Sequence, residues 1–153
     1  MDRISKHISY KEGVYSITAL RLGLDNDPSD DHLQNMRLLS EKIFEPLRTH
    51  VGSPIKINSF YRGPELNKAI GGSEKSQHCH GQAIDIDDTY GHMKNCDMYK
   101  FIKENLEFDQ MIWEFGTDEN PNWVHVSYTN PGENRRRCLK AYREDGKTKY
   151  MVI

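Results

Sequence analysis

Hydrophobic positions in the first third of the chain recur every three or four residues. One such run covers residues 17–24 and a second covers residues 33–47. This spacing predicts two amphipathic helices. Pro28, Ser29 and Asp30 supply a break and a cap before the second helix, which should run to about residue 50. Two shorter helices are predicted over residues 64–70 and 97–104.

Later segments of the chain alternate or are rich in β-branched and aromatic residues, which predicts strands. The four segments are residues 54–60, 83–87, 108–115 and 122–128. The tail, residues 139–153, predicts a hairpin that turns at Asp145 and Gly146. Helices precede most of the strands, so we expect an α+β fold with N-terminal helices packed on a mainly antiparallel sheet. At 153 residues, the chain should form one domain, residues 1–153.

Composition narrows the function classes. Charged residues make up 29% of the chain and the formal net charge is -2, which fits a globular protein and indicates no nucleic-acid partner. The basic run of residues 135–137 is interpreted as a solvated turn. No segment approaches the ~18 apolar residues of a membrane span, and no secretion signal is visible. Three cysteines without CxxC spacing predict no disulfide framework and fit synthesis in a reducing cytoplasm.

Candidate metal ligands gather in the segment SQHCHGQAIDID, residues 76–87. Alternation along a strand would point Asp85 away from the core, and the same rule applied to residues 122–128 points His125 outward. Together with His78 they would form a His₂Asp set, which suits a catalytic zinc with an open fourth position. His80 is a rival ligand if the segment is extended. Solvated histidines beside an ordinary polar strand, in a metal-free protein, remain the alternative.

The combined motif resembles a known family. Ser76-x-His78-x-x-Gly81-x-Ala83-x-Asp85 and the later Trp-Val-His-Val around His125 resemble the signature of the zinc D-alanyl-D-alanine peptidases, which share a fold with the hedgehog signalling domain. The segment SFYRGPELNKAIGGS is similar to a family stretch in which a tyrosine-arginine pair precedes a short helix. The resemblance covers about residues 8–130.

The resemblance implies a role for each matching residue. His78, Asp85 and His125 would bind Zn²⁺. Arg62 would hold the peptide substrate near the scissile bond or by its terminal carboxylate, and Ser76 would line the same pocket with Tyr61. A guanidinium is well shaped for either partner.

One position departs from the family pattern. Many members carry an acid three residues before the last zinc histidine, where it activates water, and this chain has Asn122. An amide cannot take up a proton at neutral pH. Glu114 is the preferred substitute, because residues 108–115 and 122–128 should pair antiparallel and bring it to the metal face. Asp118 and Glu119 are alternatives, and Glu114 could instead be an exposed acid in a cross-strand ion pair.

The resemblance therefore implies a zinc metallopeptidase that hydrolyses peptide bonds involving D-alanine in the stem peptides of bacterial peptidoglycan. It would act as an endolysin-like endopeptidase or as a D,D-carboxypeptidase. We expect a monomer that resembles the small phage or bacterial members of the family, made in the cytoplasm without a visible signal peptide and active at the bacterial cell wall. The alternative is a non-catalytic, zinc-stabilised binding domain of the same fold, in which Asn122 marks the loss of chemistry.

Overall fold

The computed structural model describes residues 3–153. Strands of the chain form a two-stranded ribbon and a six-stranded sheet. The strands are β1 Arg3–Ser5, β2 Ile8–Ser9, β3 Lys56–Ser59, β4 Ala83–Asp87, β5 Gln110–Glu114, β6 Trp123–Ser127, β7 Arg137–Glu144 and β8 Lys147–Val152. The α-helices are α1 Tyr10–Val14, α2 Ile17–Leu22, α3 Asp30–Leu39, α4 Glu45–Val51, α5 Pro64–Ala69 and α6 Asn95–Asn105.

The second predicted helix is three segments. Ser29 caps α3 by accepting a hydrogen bond from the backbone N–H of His32, as its position before the apolar run predicts. A π-helical stretch, Ser40–Phe44, then links α3 to α4. Pro46 lies in the first turn of α4 and has no N–H to donate to the preceding turn, so the backbone widens there.

The large sheet has the strand order β3-β4-β6-β5-β7-β8. Four of its neighbouring pairs are antiparallel, while β5 and β7 run parallel. The predicted α+β fold with a mainly antiparallel sheet is confirmed, and the parallel pair is an addition to it. The predicted hairpin is also present, and Asp145 and Gly146 both have positive φ, at 54° and 73°, as a tight two-residue turn requires.

The main core lies between one face of the sheet and the helices. Alternate strand residues point into it, and they include Ile84, Ile86, Met111, Val124 and Val126. Helices α3, α4 and α6 cover them with Leu33, Met36, Leu39, Leu47, Met98 and Ile102. Because neighbouring strand residues point to opposite sides, the polar residues between these apolar ones lie together on the other face of the sheet. In residues 3–153, no helix combines the length and the apolar character needed to cross a membrane.

Candidate active site

Three potential metal ligands meet on the face of the sheet opposite the helices. Asp85 of β4 is directly paired with His125 of β6, so both side chains lie on one face. His78 comes from a single 3₁₀ turn, Gln77–His80, just before β4. The ligand atoms of the three residues all lie within 4.8 Å of one another, which is close enough to hold one ion.

The tautomer of His78 favours metal binding. Its Nδ1 lies 2.7 Å from the backbone carbonyl oxygen of Phe60, and a carbonyl only accepts, so Nδ1 carries the proton. Nε2 is buried and makes no hydrogen bond, although it lies 3.3 Å from Asp85 Oδ2. Burial lowers the pKa of His78, and this effect outweighs the charge of Asp85, which raises it. The neutral ring therefore presents an unused lone pair to the cluster.

Asp85 lies between the two imidazoles. Its Oδ1 is 2.8 Å from Nδ1 of His125, and its Oδ2 faces His78. Burial raises the pKa of this carboxyl, but His78 and His125 outweigh burial and hold it well below the usual range. An ionised carboxylate between two imidazoles is a ligand set that fits a divalent transition metal.

An ion pair between the buried Asp109 and the exposed Arg135 lies next to the turn that carries His78. Asp109 accepts hydrogen bonds from Arg135 Nε and Nη2 at 3.0 and 2.8 Å, and from the Gln77 amide at 3.2 Å. Arg136 donates to two backbone carbonyls, those of Lys103 and Leu106. Both arginines are exposed, as the interpretation of the basic run as a solvated turn predicts, but they also bind partners that are distant in sequence. Nothing in the local sequence pattern indicates this network.

Glu114 lies on the same face as the cluster. It is paired with Trp123 on β6, two residues from His125, and only 9% of it is exposed. Burial, reinforced by the charge of Asp85, raises the pKa of Glu114 to about 7 despite the opposing effects of His125 and Arg62. Glu114 makes no ion pair within the described chain, so its interpretation as an exposed, ion-paired acid is wrong. A carboxyl with this pKa can exchange a proton near neutral pH.

The predicted substrate-binding residues lie beside His78. Arg62 Nη2 donates to Ser76 Oγ at 3.4 Å, and its backbone N–H donates to the carbonyl of His78 at 3.1 Å. Arg62 Nε is buried without a partner, which leaves a donor for a ligand. Ser76 Oγ also accepts from the backbone N–H of His78. Tyr61 is buried with its ring 5.7 Å from that of His32, and its contact with substrate stays a prediction.

The alternative metal ligand and the alternative bases do not join the cluster. His80 is exposed, and its ring neighbours His32 at 5.6 Å rather than the cluster. Asn122 is exposed and contributes its backbone N–H to the carbonyl of Glu114. Asp118 forms an ion pair with Lys140, which alternation places on the opposite face of the sheet from Glu114. Glu119 is exposed in the same loop.

Comparison with known proteins agrees with this geometry. A search of curated proteins finds no match to this chain. The family model described as Peptidase M15 matches residues 6–127, a segment that includes Arg62, Glu114 and all three residues of the cluster. Because this match covers most of the chain, the protein belongs to the Peptidase M15 family of metal-dependent peptidases.

Proposed function

We propose that this protein is a zinc-dependent peptidase that hydrolyses bonds involving D-alanine in the stem peptides of bacterial peptidoglycan. The observation that carries the proposal is the buried, unpartnered Nε2 of His78, aimed into a cluster with Asp85 and His125. A buried polar atom without a partner is costly, so its persistence favours a ligand. Family membership supplies the peptidase chemistry.

In this proposal His78, Asp85 and His125 hold the ion. When bound, zinc supplies positive charge that polarises the scissile carbonyl and acidifies a water molecule. The two neutral imidazoles and one carboxylate leave about one positive charge at the centre, which favours hydrolysis.

Glu114 is the general base. Its carboxylate takes a proton from the attacking water and passes that proton to the departing amine, so that a peptide bond is exchanged for an acid and an amine. In the metal-free protein, burial raises the pKa of Glu114 to about 7, and a carboxyl that titrates near the working pH can both accept and return a proton. Arg62 holds a substrate carbonyl or terminal carboxylate through its free Nε and its Nη groups, and Ser76 positions the guanidinium.

We also propose which type of peptidase this is and where it acts. A compact chain with little insertion to enclose a pocket fits an endolysin-like endopeptidase better than a carboxypeptidase with a closed pocket. We propose that a monomer made in the cytoplasm acts at the bacterial cell wall.

The test is incubation of zinc-loaded protein with peptidoglycan and with short stem peptides that contain D-alanine. Released fragments are identified by mass spectrometry, with a chelated sample as control. Chelator-sensitive cleavage next to D-alanine supports the proposal, and the fragment masses identify the bond. Tight binding of one zinc without cleavage of several wall types would instead indicate the non-catalytic binding domain.

A further inference from the structure

The C-terminal hairpin extends the face of the sheet that carries the candidate site. It comprises β7 and β8 and lies beyond residue 127, where the family match ends. Ala141 of β7 pairs with Glu114 on one side and with Tyr150 of β8 on the other. Residues paired directly across strands share a face, so the hairpin borders the proposed general base.

A cavity of about 570 Å³ lies at the end of β5, among residues that neighbour Glu114. Its lining includes the residue that follows Glu114 in the chain, Phe115, and both of its strand partners, Trp123 and Ala141. The rest of the lining is Gly116, Asn122, Lys140, Tyr142 and Arg143. Glu114 and the three residues of the metal cluster do not line this cavity, which is next to Glu114 only through its chain and strand neighbours.

Phe115 reaches this cavity because its backbone is left-handed. Alternation alone would point Phe115 away from the face of Glu114. Its φ is 56°, which is rare and unfavourable for a bulky residue and recurs at functional sites. The ring instead packs against the cluster of Ile112, Leu139 and Ala141 on the same face as Glu114, 5.6 Å from the ring of Trp123.

Arg143 places an unpaired positive charge at the edge of the cavity. Its guanidinium carbon lies 5.6 Å from the centre of the Phe115 ring, a cation–π contact that holds it over the aromatic wall. The side chain is exposed and makes no ion pair with residues 3–153. Lys140, the other cation of the lining, is already paired with Asp118.

We propose that this cavity is a substrate subsite for a carboxylate-bearing residue of the stem peptide, next to the scissile bond. The Phe115 and Trp123 rings contact the apolar part of that residue, and Arg143 pairs with its carboxylate. The planar guanidinium fork matches a carboxylate and discriminates against the uncharged carboxamide. This inference rests on the proposed peptidase function and assigns a specificity to the hairpin that follows the family-matched segment.

The test compares two stem peptides that differ only in a carboxylate or a carboxamide on a residue beside the scissile bond. Arg143→Gln should raise KM for the carboxylate peptide roughly tenfold, the range of a charge-assisted hydrogen bond in a partly exposed site, and leave kcat within about twofold. KM for the carboxamide peptide should not change. Lys147→Gln is the matched control, because it removes the same charge from the other face of the same hairpin. An equal change for both peptides, or no change, would overturn the subsite.

Calorimetric binding of both peptides to the zinc-loaded Glu114→Gln protein separates this inference from the proposed function. Preferential binding of the carboxylate peptide that is lost on adding Arg143→Gln supports the subsite even if the wild-type protein cleaves neither peptide, in which case the peptidase proposal fails. Cleavage of both peptides with no Arg143-dependent preference overturns the subsite and leaves the peptidase proposal standing. Absence of both binding and cleavage overturns both.

Discussion

The Nδ1 atom of His78 lies 2.7 Å from the backbone carbonyl oxygen of Phe60, and this contact determines which ring nitrogen is free. The carbonyl follows directly after strand β3, so the sheet itself orients the imidazole. In many histidines that bind metals, a hydrogen bond of this kind from the other ring nitrogen fixes the tautomer. The backbone of one strand thus prepares the lone pair that is aimed at Asp85 and His125.

Removal of either histidine should abolish stoichiometric metal binding. We expect His78→Ala and His125→Ala to lose the single bound zinc, since two remaining ligands hold the ion poorly. In the wild-type protein, zinc at 100 times its Kd should raise the free energy of unfolding by about 2.7 kcal/mol and so raise the melting temperature. Both variants should lose this stabilisation. Elemental analysis and thermal melts measure both. His80→Ala should behave as wild type, and unchanged zinc content in His78→Ala would refute the ligand assignment.

Glu114→Gln should retain bound zinc but lose most of the peptidase activity. The amide keeps the shape of the side chain but cannot take a proton, so we expect the cleavage rate to fall by ~10²–10⁴ with zinc content retained. Initial rates on a stem peptide measure the loss. Glu119→Gln, in the exposed loop before β6, is the matched control and should retain the wild-type rate. Full activity in Glu114→Gln would assign the base elsewhere.

The burial of Glu114 also predicts a pH-dependent stability of the metal-free protein. Its pKa is about 7 in the folded state against an ordinary value of 4.5. Between these pH values the folded protein holds a proton that the unfolded chain has released, so the free energy of unfolding falls as pH rises. Above pH 7, the free energy of unfolding is lower by roughly 3 kcal/mol than it is below pH 4.5, as far as this one group determines it.

Glu114→Gln lacks this titration. From pH 4.5 to 8, its free energy of unfolding relative to wild type should therefore increase by about 2–3 kcal/mol, as measured by urea unfolding with chelator present. A parallel pH dependence in the two proteins would show that Glu114 titrates normally.

The ion pair under the His78 turn predicts an indirect effect on the metal. Asp109→Asn removes the charge that binds Arg135 and weakens the contact with Gln77. We expect the affinity for zinc to fall roughly tenfold, as it does when other residues that orient metal ligands without binding the metal are changed. Competition with a chromophoric chelator measures the affinity. Asp145→Asn is the matched control, because asparagine also suits that positive-φ turn. Equal affinity in both variants would make the ion pair irrelevant to the site.

Local sequence patterns account for a large part of the fold and for part of the site. Alternation in residues 83–87 and 122–128 predicts that Asp85 and His125 point away from the core, and the structure pairs them directly on that face. The cap at Ser29 and the turn at Asp145 and Gly146 are local features as well. Each of these depends on residues close together in the chain.

The remaining features depend on contacts between distant residues. Gln77 and Asp109 are 32 positions apart, and no periodicity links them. The face that Phe115 occupies is set by a left-handed backbone, which reverses the alternation that would otherwise be expected. The burial of Glu114 likewise follows from the strands on both sides of it, including the parallel neighbour β7. The sequence therefore favours Glu114 as the base but does not predict its raised pKa.

We expect that one zinc ion, held by His78, Asp85 and His125, is required for peptide cleavage. This is tested by adding zinc in steps to the metal-free protein and measuring the rate of stem-peptide cleavage at each step. The rate should rise linearly up to one equivalent of zinc and then stay constant, and His78→Ala should show no rise. Cleavage at full rate without added zinc, or no cleavage after one equivalent has bound, would contradict it.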